Sequence, residues 1–191
     1  MIQYSLPKSL KVNGTDYPIR WDVEAALDAI TALSDIDLSD REKVIVLFGI
    51  IYKDEIPRAD QEEALKKAFW FLDGGDKAPQ KKSPRVVDWE KDFPLICAPV
   101  NRVLGYDFRA DPQSLHWWTF LAAYMEIGGD CLFAQVVNIR DKRARGKKLE
   151  KYEKEWASRN SGLINIESKY SKEDNNTLAA LGIKRKGSES E

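Results

Sequence analysis

One histidine and two cysteines in 191 residues leave little material for metal or nucleophile chemistry. Cys97 and Cys131 stand 34 positions apart, His116 has neither near it in sequence, and no zinc-ligand spacing results. A glycine-rich phosphate loop and a serine-centred nucleophile elbow are both missing. The longest apolar run, Val44 to Tyr52, is nine residues, against the ~20 needed to span a bilayer, which argues against a membrane helix. No charged start followed by an apolar stretch opens the chain, so the thiols are expected to be reduced in a cytosol. Net charge is scarce too: 30 Lys and Arg against 31 Asp and Glu leave -1, which names no partner. These shortages predict a protein with no cofactor, no metal and no catalytic residue.

What is abundant is apolar and aromatic. Hydrophobic residues make up 43% and aromatics 10% of the chain, enough for one domain or two small ones. Charge is unevenly placed: residues 1–75 carry 9 basic and 14 acidic side chains, and residues 140–159 carry 9 basic and 4 acidic ones. Oppositely charged segments on a near-neutral chain, together with the aromatic excess, predict a homo-oligomer.

β character is confined to the start, where Asn13-Gly14 separates Leu10–Val12 from Tyr17–Trp21 and predicts a hairpin. Helical spacing follows. Val23, Ala26, Leu27, Ile30 and Leu33 predict a helix over 22–34, and Ser39 with Glu42 forms a capping box for a second, reaching about Lys53. A third carries Ala64, Leu65, Ala68, Phe69 and Leu72 on one stripe and stops at Gly74-Gly75. Residues 76–85, with two prolines and no apolar period, read as a linker. Beyond it, a helix starting near Asp88 is expected to be interrupted or kinked by Pro94 and Pro99. Asp111-Pro112 predicts an N-cap and first turn for a helix over 112–127, closed by Gly128-Gly129, with Asp130 capping the next helix. Helix continues from Leu132 with Gly146 as its weak point, and residues 161–191 read as a largely disordered tail. The fold class is mainly α: an N-terminal β-hairpin and a multi-helix bundle, divided into 1–75, the linker 76–85, a second helical region 86–160 and the tail.

The adjacent pair Trp117-Trp118 poses a packing problem, since neighbours on a helix point about 100° apart. Leu115, Trp118, Ala122 and Met125 are read as the core stripe, which leaves Trp117, Phe120, Leu121 and Tyr124 around it. The same crowding holds for Phe69-Trp70-Phe71. Trp117, Phe120, Tyr124 and Trp70 are therefore the candidate partner-binding residues. Paired carboxylates such as Asp88 with Asp92 are read as solvated helix charges. The segment Arg140–Lys148 holds six cations, and Arg143, Arg145, Lys147 and Lys148 are candidates for electrostatic contact. With Trp156 they support an alternative reading as a nucleic-acid-binding module. The alternation of acids and bases that follows favours an ordinary solvated helix, so nucleic acid is the weaker reading.

Trp89 to Asp92, Ile96, Leu115 to Phe120 with its Leu-His-Trp-Trp-x-Phe centre, and Ile139-Arg140 together make a pattern. In this pattern the chain resembles a family of small phage proteins known by their gene-product number, fifteen, over about residues 10–145. The family is encoded among tail-morphogenesis genes of siphophages. The resemblance implies a tail assembly chaperone that binds the phage tape measure protein and assists assembly of the tail tube protein. It would act in the host cell cytoplasm and be missing from the mature virion.

Overall fold

The structure is a computed structural model that describes residues 5–75 and 84–166. Residues 76–83 of the expected linker and residues 167–191 of the expected tail lie outside the described residues.

The hairpin forms where the turn chemistry places it. Strands β1 (Ser9–Val12) and β2 (Thr15–Pro18) pair antiparallel with Val12 opposite Thr15 and Ser9 opposite Pro18. The two-residue loop needs left-handed backbone at both positions, and Asn13 (φ 45°) and Gly14 (φ 94°) supply it. Leu10 and Val12 point inward from alternate positions of β1 and are buried.

Helix α1 (Val23–Ser34) is capped by Asp22, whose carboxylate accepts from the Ala25 amide at 2.9 Å. Helix α2 (Asp40–Ile51) begins with the Ser39/Glu42 capping box, closed in both directions, and packs along α1. Helix α3 (Gln61–Leu72) ends on Gly74 and Gly75, at φ 74° and 87°, with the Gly75 amide bonded back to the Trp70 carbonyl. A β-carbon at Gly75 would stand 2.7 Å from the Trp118 ring, so this glycine serves both the turn and the ring packed over it.

Helix α4 (Trp89–Leu104) runs without a break through Pro94 and Pro99, which corrects the expected interruption. Its inner face (Ile96, Cys97, Pro99 and Val100) is buried, and that packing outweighs local proline preference. Three further expectations are corrected at α5 (Trp117–Met125) and α6 (Leu132–Ala144). Residues 112–114 form a 3-10 turn, and Asp111 makes no side-chain cap. The N-cap of α5 is His116, and α5 ends at Met125, ahead of the Gly128-Gly129 pair. Cys131, through Sγ and the Ala134 amide, caps α6, while Asp130 pairs with Arg102 at 3.3 Å. Gly146, at φ 66°, follows the end of α6 as its position suggested. Helices α7 (Lys151–Arg159) and α8 (Ser161–Ile164) complete the bundle. Residues 161–166 are thus structured, with Ile164 buried, which corrects the first part of the expected tail.

One hydrophobic cluster takes residues from both sides of 76–83, from Leu10 and Val12 through Ala68 and Phe71 to Ile96, Trp117 and Phe133. Strand-like bonds tie the start of α1 to the start of α5: Val23 N–H to the Leu115 carbonyl (3.0 Å), and Trp117 N–H to the Trp21 carbonyl (2.9 Å). A second cluster joins Val136, Ile139, Leu149, Ala157 and Ile164 under α7 and α8.

Candidate functional site

The roles expected of Trp117 and Trp118 are reversed. Trp117 is 1% exposed and Phe120 fully buried, so neither offers a surface to a partner. Ala122 and Met125 of the expected core stripe are exposed, Met125 at 75%. The inward face of α5 is instead Trp117, Phe120 and Ala123, with Tyr124 half-buried beside them. Trp117 and Phe120 stack at 5.4 Å, Phe108 meets Phe120 edge-on at 5.3 Å, and Trp89 closes on Tyr124 at 5.1 Å. The Tyr124 hydroxyl is held above its ordinary pKa by burial, with Asp92 adding to it.

Both indoles reach back to the end of α3. Trp117 Nε1 donates to the Leu72 carbonyl at 2.9 Å, and Trp118 Nε1 donates to the Phe71 carbonyl at 2.8 Å. Those carbonyls belong to the last turn of α3, where intrahelical donors run out, and the Phe71 carbonyl also accepts from the Gly74 amide at 3.1 Å. Trp118 is half-buried between Trp70 (5.2 Å) and Phe71 (6.3 Å), and Trp70 is half-buried as well. The adjacent tryptophans thus fill two surfaces of one chain.

His116 is built into the same junction. Its Nδ1 accepts from the Trp118 amide at 3.0 Å, so the proton sits on Nε2, which donates to the Pro7 carbonyl at 2.9 Å. The ring stacks on Trp21 at 5.5 Å, and burial lowers its pKa, Lys8 adding to the effect and the Pro7 bond opposing it.

The basic segment is largely spoken for. Arg140, only 4% exposed, forks onto Asp92 through Nη1 to Oδ2 (2.5 Å) and Nη2 to Oδ1 (2.9 Å). Its remaining donors reach the carbonyls of Val86, Leu163 and Ile164. Asp92 is therefore no solvated helix charge, and Asp88 caps α4 through the Lys91 amide. Lys142 pairs with the buried Glu153 at 2.5 Å, Arg145 with Asp141 at 2.6 Å, and Arg143 reaches Asn165 at 3.4 Å. Lys147 and Lys148 are exposed.

A feature that sequence reading missed is lined in part by Trp89 and Phe108 of the same aromatic cluster. Between α1, the start of α4 and the 108–112 turn runs a groove of about 420 Å³. Val23, Leu27, Trp89, Phe93, Phe108 and Pro112 make its apolar lining. The carboxylates of Glu24, Asp28 and Glu90 stand in the same lining. Arg109 is the one cation there among the described residues, and it is committed to Asp107 by two bonds of 2.8 and 2.6 Å. That pairing holds Asp107 well below the usual carboxylate range. Asp28 is shifted the other way: partial burial raises its pKa, as does Glu24 nearby, against an opposing pull from Arg20. A second, smaller hollow shares Thr31, Trp89 and Glu90 and reaches Ser34 of α1 and Val87 before α4, with the paired Arg85 and Asp88 in its lining. The lining comes from three separate stretches, each too short to mark a site in sequence.

Among the described residues no group of three or more His, Cys, Asp or Glu could hold a metal ion, and no helix is long and apolar enough to cross a membrane. No curated protein and no solved structure matches the chain significantly. The family described as Bacteriophage Gp15 protein matches over residues 2–161. That span takes in the hairpin, helices α1 to α7, the aromatic junction and the groove. The chain belongs to the Bacteriophage Gp15 protein family.

Proposed function

We propose that this member of a phage family, whose membership points to a structural or morphogenesis role, is a tail assembly chaperone. Its work is binding, without catalysis: it holds amphipathic helical segments of the tape measure protein while tail tube subunits are recruited in the host cytoplasm. The observation that carries this reading is the groove beside α1. An apolar trough lined along α1 from Val23 to Thr31 suits the apolar stripe of a partner helix, and affinity in this mode comes from side chains spaced along one face. The acidic lining selects partner helices that carry Lys or Arg beside that stripe. Trp117 and Phe120 contribute from below, as the packed support of Trp89 and Phe108.

Co-expression with the phage's tape measure protein tests the proposal. Wild-type chain is expected to keep that protein soluble and to copurify with it. Leu27→Glu, which places a charge in the groove lining, is expected to abolish both while leaving the far-ultraviolet circular dichroism unchanged. Neutralising Arg143, Arg145, Lys147 and Lys148 is expected to leave them intact. Loss of activity in the neutralised variant, with full activity in Leu27→Glu, would overturn the proposal in favour of a basic nucleic-acid or protein contact.

A further inference from the structure

The longest apolar run of the chain, Val44 to Tyr52, lies in and just after α2, yet within that helix only Leu47 and Ile51 are buried. At about 100° per residue those two set the inward direction, toward α1 and α3. Glu42, Val46 and Gly49 fall on the opposite side, with Ile45 and Ile50 flanking them, and Lys53 continues the same spacing just past the helix. Ile45 is 60% exposed, Glu42, Gly49 and Lys53 are exposed too, and Val46 and Ile50 are half-buried. Among the described residues nothing stands within 4 Å of a β-carbon added at Gly49. We propose that this outer face of α2 is a homodimer interface on which α2 of a second copy packs antiparallel, Val46 against the copy's Gly49 and Glu42 against the copy's Lys53.

Three observations select a second copy as the occupant. The first is charge. Antiparallel helices pair residues in reverse order, so a register that sets Val46 on Gly49 of the copy also sets Glu42, four positions before Val46, on Lys53, four positions after Gly49. The two-fold axis repeats each contact, so the only charged residues of the stripe meet as opposites on both sides. A parallel pair would set Glu42 on Glu42 and Lys53 on Lys53 and align the two helix dipoles. Glu42 binds Ser39 through Oε2, a contact that lowers the carboxylate's pKa and keeps it ionised, and Lys53 has no ion pair among the described residues. The next pair outward, Asp40 and Glu55, shares one sign, and Glu55 lies past the helix.

The second observation is shape. With no side chain at Gly49, the backbone of the copy approaches closely there, and Ile45 and Ile50 close over the contact from its two flanks. The third is polarity. No polar or charged side chain stands between Lys43 and Tyr52, and the Tyr52 hydroxyl is satisfied within its own chain by the Ala64 carbonyl at 2.7 Å. A copy seated on α2 therefore strands no polar side chain of this run. No residue of α2 lines the groove beside α1, so pairing leaves that lining as it is. The dimer does not depend on the function proposed above; on that function it carries two grooves, and a partner with two suitable helices gains avidity.

Sedimentation equilibrium on the full-length chain is the test. The wild type is expected to form a dimer and no larger species. Ile45→Glu buries a charge twice per dimer and is expected to weaken association at least ~10-fold, with unchanged circular dichroism. Lys53→Glu, which spares the capping box, and Glu42→Lys are each expected to weaken it several-fold by setting like charges together. An equimolar mixture of those two variants is expected to regain wild-type association as a heterodimer, because each copy then brings one sign to both positions. A monomeric wild type would overturn the proposal and leave the stripe to a different protein. Ile45→Glu dimerising as the wild type does, or a mixture no stronger than its components, would overturn it as well. Failure of the wild type to solubilise tape measure protein would count against the function alone, since none of these measurements depends on it.

Discussion

Replacing Arg140 by methionine is the sharpest perturbation the fold offers. The guanidinium reaches Asp92, the Val86 carbonyl and the carbonyls of Leu163 and Ile164 together, so it links α4, the segment before it, α6 and α8. Methionine keeps much of the stem's packing and removes all five bonds. The Asp92 carboxylate, 1% exposed, is left with the Asp88 amide at 2.9 Å. Stranding one member of a buried ion pair costs about 3–5 kcal/mol. A chain of this size loses ~2–4 °C of melting temperature per kcal/mol, so the expected drop is roughly 6–20 °C. Asp92→Leu alone is expected to cost a similar amount by stranding Arg140. The double variant has no stranded charge and is expected to be more stable than the sum of the singles by ~0.5–3 kcal/mol. Urea unfolding followed by circular dichroism measures all three. Additive singles, or an Arg140→Met cost below about 1 kcal/mol, would refute the view that this pair fastens α8 and α6 to α4.

Trp117→Ala, which removes a fully packed ring, is expected to destabilise by about 3–5 kcal/mol, and Trp118→Ala by distinctly less, in thermal unfolding; equal losses would contradict the burial difference. His116 has a folded-state pKa below its ordinary value, so the unfolded chain takes up its proton first as pH falls below about 6.5. Stability from this residue is therefore present above about pH 6.5 and lost as the pH falls through the folded pKa. His116→Asn, which retains a capping side chain but does not titrate, is expected to flatten the melting-temperature slope between about pH 7 and 5.5.

Local chemistry was the most legible layer of the sequence. Asn13-Gly14, the Ser39/Glu42 box and the Gly74-Gly75 stop act within a few residues and stand where sequence places them. The face of α5 was not legible, because a helix that is apolar nearly all round fits two stripes equally well. Leu115, Trp118, Ala122 and Met125 satisfy helical spacing as well as Trp117, Phe120 and Tyr124 do. What decides between them is distant: the Leu72 and Phe71 carbonyls that take the two indoles, and the Trp21 carbonyl that sets where α5 begins. Arg140 was hidden among six cations because its acceptor, Asp92, lies 48 positions away. The groove drew no notice for the same reason, its walls being residues 23–31, 89–93 and 108–112.

Hydrogen–deuterium exchange on the chain copurified with tape measure protein puts the central claim to its most direct test. Protection gained on complex formation is expected along Val23–Ser34 and at the start of α4, where the groove is lined, with little change over residues 140–159. Protection confined to residues 140–159, with the first turns of α1 and α4 exchanging as in the free protein, would contradict it.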